Sequence, residues 1–117
     1  MTLKEAVENK CCVRVYSEED ALVLVSAMKS EFPELTTYWN EGQTNWNNYK
    51  ENTLYYLSFQ GSGNRMAYGK LESYYESIDE RGKYPLINFE DIDFDRYDEL
   101  ELFESDMPIE LLIGMKS

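Results

Sequence analysis

The apolar positions of this chain change period several times, and each change marks an element. Leu3, Ala6 and Val7 form a narrow helical stripe, and Thr2 with Glu5 three residues on has the form of a capping box, so residues 2–9 are predicted as a short helix. Residues 11–16 alternate instead: Cys11, Val13 and Val15 fall on one face of a strand, Arg14 and Tyr16 on the other. Ser17 then offers an N-cap with Glu18, Glu19 and Asp20 in the first turn, where the helix dipole favours negative charge. Ala21, Leu22, Val25, Met28 and Phe32 follow at helical spacing until Pro33, which predicts the main helix over 18–32.

Residues 33–52 carry no period. They are polar and aromatic, with Trp39 and Trp46 among threonines, asparagines and tyrosines, and predict a long loop pinned to the body by its tryptophans. The run Thr-Leu-Tyr-Tyr-Leu-Ser-Phe-Gln at 53–60 is the clearest strand. A Gly-Ser-Gly-Asn turn follows, and 65–70 returns, so 53–70 is predicted as an antiparallel hairpin. Leu71, Tyr74, Tyr75 and Ile78 suggest a helix over 71–80 stopped by Gly82, and residues 84–89 another strand. The expectation is a single α+β domain over 1–117, an antiparallel sheet packed against one main helix.

Charge changes the picture after Phe89. Residues 90–110 hold ten acids and one base, Arg96, which is −9 of the chain's net −12; the sequence pI is near 4.3. Apolar residues persist inside this acidic segment: Ile92, Phe94, Tyr97, Leu100, Leu102 and Phe103. If 91–95 is extended, Asp91, Asp93 and Asp95 share one face at roughly 6.6 Å spacing while Ile92 and Phe94 anchor the other. If 95–104 is helical, Asp95, Asp98 and Glu101 line one edge instead; the pattern does not decide between the two. Either arrangement displays carboxylates from a fixed base, as a floppy acidic tail does not. The segment 109–115 is apolar enough to be a last strand or a docking segment.

The chemistry available is narrow. With no histidine, the chain lacks the commonest general base and metal ligand, which excludes Ser-His-Asp and Cys-His catalysis and His-containing zinc sites. Cys11 and Cys12 are adjacent, outside CxxC spacing and unsuited to an unstrained disulfide, and imply a reducing compartment. The aspartates from Asp91 match the start of an EF-hand loop, but Arg96 stands where Gly is required and Leu102 where the bidentate Glu is required. Nothing in the sequence calls for a cofactor or a metal. No apolar run is long enough to span a membrane and no secretory signal is visible, so a cytoplasmic setting is expected.

A surface this acidic repels phosphate backbones and anionic membranes and attracts basic protein surfaces, of which nucleic-acid-binding proteins are the commonest. The expected partner is therefore a basic protein surface, not nucleic acid and not a membrane. The expected contact residues are Asp91, Asp93, Asp95, Asp98, Glu99, Glu101, Glu104 and Asp106, with Trp39 and Trp46 as a second, aromatic surface.

The order of strand, Ser-Glu-Glu-capped helix, aromatic loop and Tyr-rich hairpin, followed by Leu-Ile-Asn-Phe-Glu-Asp-Ile at 86–92, resembles small acidic proteins of bacteriophages and prophages. The resemblance spans about residues 11–94. Some such proteins are inhibitors of host defence, including anti-CRISPR proteins that occupy the nucleic-acid channel of a Cas effector. It implies a non-catalytic inhibitor that mimics nucleic acid before a host effector or nuclease, and carries over no catalytic residues. Two other classes remain open: an adaptor or regulator that uses the aromatic loop at 36–49, and a sponge for a nucleotide signal. The last would need a local basic pocket, for instance around Arg14, Arg65, Lys70 or Lys83.

Overall fold

Ser17 closes the N-terminus of the main helix, its hydroxyl accepting from the Asp20 amide at 3.2 Å. The computed structural model describes residues 1–94 and gives the order α1 (Leu3–Glu8), β1 (Cys12–Arg14), α2 (Glu18–Glu31), β2 (Thr53–Phe59), β3 (Arg65–Lys70), α3 (Leu71–Glu76), α4 (Ile78–Arg81) and β4 (Leu86–Asn88). Short 3-10 turns punctuate the loop between α2 and β2. The chain is an α+β domain, and the capping box of Thr2 and Glu5 on α1 is present as the sequence predicts.

The stripe of α2 loses Leu22 from its predicted membership and gains Leu24 and Ala27, while Phe32 is the partly buried C-cap. Ala21, Leu24, Val25, Ala27 and Met28 are buried, whereas Leu22 is 44% exposed. Ala21, Val25 and Met28 define the inward line. Leu24 lies three residues after Ala21 and four before Met28, so it joins that line; Leu22, about 100° further round, does not.

The four strands form one sheet in the order β3-β2-β1-β4. The β2–β3 hairpin is antiparallel, as is β1–β2, but β4 runs parallel to β1, with Cys12 opposite Leu86 and Arg14 opposite Asn88. The sheet is mostly antiparallel, as the sequence predicts, and this one edge is the parallel exception. The cause is the connection: after β3 the chain crosses the sheet through α3 and α4, and such a crossover delivers a strand in the parallel sense. The predicted helix over 71–80 breaks at Ser77, whose φ of −115° and ψ of 39° leave helical geometry. The strand predicted over 84–89 is shorter than expected and covers only Leu86–Asn88.

Both faces of the sheet are covered. Val13, Val15, Tyr55, Leu57 and Met66 pack with α1 and α2. On the other face Cys12, Leu54 and Tyr56 pack with Tyr74 of α3 and with Tyr84. The two adjacent cysteines thus point to opposite layers. This second layer explains why β2 reads as a near-continuous apolar run with little alternation: residues 53–58 are buried throughout. A register shift between Tyr56 and Phe59 turns Phe59 onto the Tyr56 side, where it meets Tyr84.

Candidate binding surfaces

The acidic segment begins from a fixed root. Asn88 and Asp91 cap each other across the 3-10 turn Phe89–Asp91, the Asn88 amide donating to Asp91 Oδ2 at 2.9 Å. The Met1 ammonium donates to the Asp91 carbonyl at 2.9 Å and lies 3.6 Å from the Asp93 carboxylate; the Asp93 amide donates to the Met1 carbonyl at 2.7 Å. Ile92 is buried in the main core, and Phe89 stacks on Phe94 with ring centroids 5.0 Å apart. Ile92 and Phe94 are therefore the anchors the sequence predicts. The extended array of Asp91 and Asp93 is not formed, because the turn at 89–91 directs the Asp91 carboxylate back to the Asn88 amide. Asp93 keeps a largely exposed side chain. Asp95, Asp98, Glu99, Glu101, Glu104 and Asp106 lie outside the described residues, as does the 109–115 segment.

Lys70 pairs with Glu72 at 3.3 Å and the Met1 ammonium with Asp93, but Arg14, Arg65, Lys29 and Arg81 turn to rings and neutral oxygens. Arg14 lies 4.7 Å over the Tyr16 ring and donates to the Glu51 carbonyl. Arg65 lies 4.6 Å over Tyr38 and donates to its hydroxyl at 2.9 Å. Lys29 donates to the Trp39 and Thr36 carbonyls. Arg81 stacks against Tyr56 and Phe59 and donates to the Tyr56 hydroxyl at 3.1 Å. Burial pushes that hydroxyl up to about 12, with the neighbouring Cys12 thiol adding to the shift and Arg81 opposing it. Arg81 therefore meets a neutral phenol, and its charge is not cancelled there.

The tryptophans pin the loop to the body as one sequence reading expects, and their inward bonds argue against the other, which made Trp39 and Trp46 an outward contact surface. Trp39 is buried, with its indole N–H donating to the Met66 carbonyl at 3.0 Å and its ring against Tyr55 and Tyr68. Trp46 is half-buried, and its N–H reaches the Val15 carbonyl at 3.4 Å. The Tyr55 hydroxyl pins the loop further through the Thr44 carbonyl at 2.7 Å. What the loop region presents outward is tyrosine: Tyr38 is 74% exposed, with Tyr49 and Tyr68 tilted against each other nearby. A shallow cavity of about 290 Å³ lies between Tyr38, Trp39, Gln43, Asn45, Met66 and Tyr68.

A larger cleft of about 370 Å³ opens on the opposite face, at the β2–β3 turn. Phe59, Gln60, Gly61, Arg81, Lys83 and Tyr84 line it, with Glu80 as its one carboxylate. Of the four cations the sequence suggested for a basic pocket, only Lys83 is here. Arg81 was not foreseen; the available signal was a pair of bases flanking Gly82 in an otherwise acidic chain. Among the described residues no group of three or more potential ligands could hold a metal ion, and no helix is long and apolar enough to cross a membrane. Comparison with protein-family models, with curated proteins and with solved structures found no match.

Proposed function

We propose that this chain is a non-catalytic binding protein that presents carboxylates to a basic protein surface. In its most concrete form it is an inhibitor of phage type that competes with nucleic acid for a host defence effector, a CRISPR nuclease first among them. One observation carries the reading: in a chain of net charge −12, Arg14, Arg65 and Arg81 are stacked on aromatic rings and donate to a carbonyl or to tyrosine hydroxyls, not to acids. The negative charge is thus left for an outside cation. The anchored root at Phe89–Phe94 supports it too, since a segment leaving a fixed point loses less freedom on binding than a free tail.

The test is competition at two salt concentrations. The protein should displace DNA from a CRISPR effector, with apparent affinity falling at least tenfold between about 50 and 200 mM salt. The variant Asp95→Asn, Asp98→Asn, Glu99→Gln, Glu101→Gln leaves the capping Asp91 and the Met1 contact of Asp93 in place, so it tests charge without touching the root. Undiminished competition by this variant sinks the proposal.

The exposed Tyr38, fixed by Arg65 yet open to solvent, favours a second reading, an adaptor that uses the tyrosine face around the 36–49 loop. Tyr38→Ala is the right probe for it. Replacing the buried Trp39 would disturb the fold before it informed on a partner.

A further inference from the structure

The cleft at the β2–β3 turn departs from the rest of the molecule. Two cations, Arg81 and Lys83, line it in a strongly acidic chain, and no carboxylate among the described residues forms an ion pair with either. A half-buried guanidinium has five N–H donors, and the Tyr56 hydroxyl takes one at 3.1 Å. Lys83 Nζ is held at 3.0 Å by Gln60 Oε1, which leaves two of its three donors. Gln60 is itself fixed, its backbone N–H donating to the Tyr84 hydroxyl at 3.0 Å, while the Tyr84 carbonyl accepts from the Tyr74 hydroxyl at 2.9 Å. The lysine therefore stands on an ordered relay.

The walls are aromatic. Phe59, Tyr56 and Tyr84 form a three-ring cluster with centroid separations of 4.9, 5.5 and 5.3 Å. The Phe59 ring lies so close to Gly61 that a Cβ there would meet it at 2.6 Å, so the glycine is what lets the ring lie against the turn. The volume of about 370 Å³ falls at the small end of ligand pockets.

We propose that this cleft binds a phosphomonoester carried on a planar ring, of the size of a nucleoside monophosphate. The phosphate accepts from Arg81 and Lys83 in charge-assisted bonds, and the ring packs against the Phe59 and Tyr84 wall. Glu80 accepts from a donor on the ring or sugar. The site is separate from the described root of the acidic segment: it flanks the start of β4, whereas Asn88 and Asp91 lie at and beyond its end.

Titration with AMP, followed by amide chemical shifts, tests it, with adenosine and ribose 5-phosphate as separate arms. Saturating shifts should centre on Gln60, Gly61, Lys83 and Tyr84, and each half-ligand should bind at least tenfold more weakly than AMP. Lys83→Gln, an exposed substitution that leaves the ring cluster intact, should weaken AMP at least fivefold. Arg81→Lys, which keeps the charge but loses the fork, should do the same, while Lys70→Gln should not. Absence of saturation with AMP, equal binding of either half-ligand, or indifference to Lys83→Gln would overturn the proposal. None of these substitutions alters the acids at 95–101, so competition for a basic partner should be unchanged whichever way the titration falls.

Discussion

At the scale of single residues, two adjacent cysteines show how placement decides chemistry. Cys11 packs with the α2 layer and Cys12 with the Tyr56 and Tyr84 layer. Burial raises both thiols. The effect is larger for Cys12, where desolvation outweighs the hydrogen bond with Tyr56 and the nearby Arg81 charge. Neither is a thiolate near neutrality, and the thiolate is the reactive form. Labelling with a thiol reagent at pH 8 should therefore proceed at least a hundredfold more slowly in the native protein than in urea, and rapid native labelling of either thiol would contradict this placement. Trp39 makes a separable case. Trp39→Phe keeps a ring against Tyr55 and Tyr68 but orphans the Met66 carbonyl, and should cost about 1–2 kcal/mol in urea unfolding. Trp39→Ala empties the site and should cost about 3–5 kcal/mol.

At the scale of elements, α2 was the most legible because its signals agree: Ser17 caps it, three acids occupy its first turn, and Pro33 closes it. Ser17→Ala should lower stability by about 1 kcal/mol without moving the helix boundaries, as read by urea melts and far-ultraviolet circular dichroism. The hairpin was equally legible, since the pattern and the Gly-Ser-Gly-Asn turn lie within one short stretch. The β1–β4 edge was not. Parallel pairing depends on where α3 and α4 carry the chain, and nothing in Leu86-Ile87-Asn88 itself records which strand it will meet. The site shows the same divide. Ile92 and Phe94 were readable as anchors from local alternation. The convergence of Arg81 on Phe59 joins residues 22 apart in sequence through a register shift in β2, and a one-dimensional pattern holds no trace of that. Asp91 was misread for a related reason: its bond to the Asn88 amide closes a turn where the alternating pattern suggested a strand.

At the scale of the whole molecule, charge governs the response to solution conditions. With net −12 and its described arginines committed to rings and neutral oxygens, the folded chain holds like charges closer together than the unfolded chain does, and that repulsion opposes folding. Raising the ionic strength from about 0.01 to 0.15 M shortens the screening length from roughly 30 to 8 Å. At pH 7 this should raise the Tm, by about 4–8 °C if screening relieves about 1 kcal/mol. The pH dependence has two opposing parts. Glu5 is held below the ordinary carboxyl range, chiefly by its hydrogen bond from the Thr2 amide, so its contribution is present above that range and is lost as pH falls through its folded-state value. Protonation of other carboxylates meanwhile removes repulsion as the pH approaches the pI near 4.3. No histidine is present and both thiols are raised, so stability at fixed salt should be nearly flat between about pH 6 and 8. The salt effect should shrink toward the pI, where there is little net charge left to screen. Melting curves over a grid of salt and pH separate these contributions. A Tm that falls with added salt at pH 7 would mean that attractive pairs outweigh repulsion in the body, and the carboxylates would then already be satisfied within the fold, with no charge held in reserve for a basic partner.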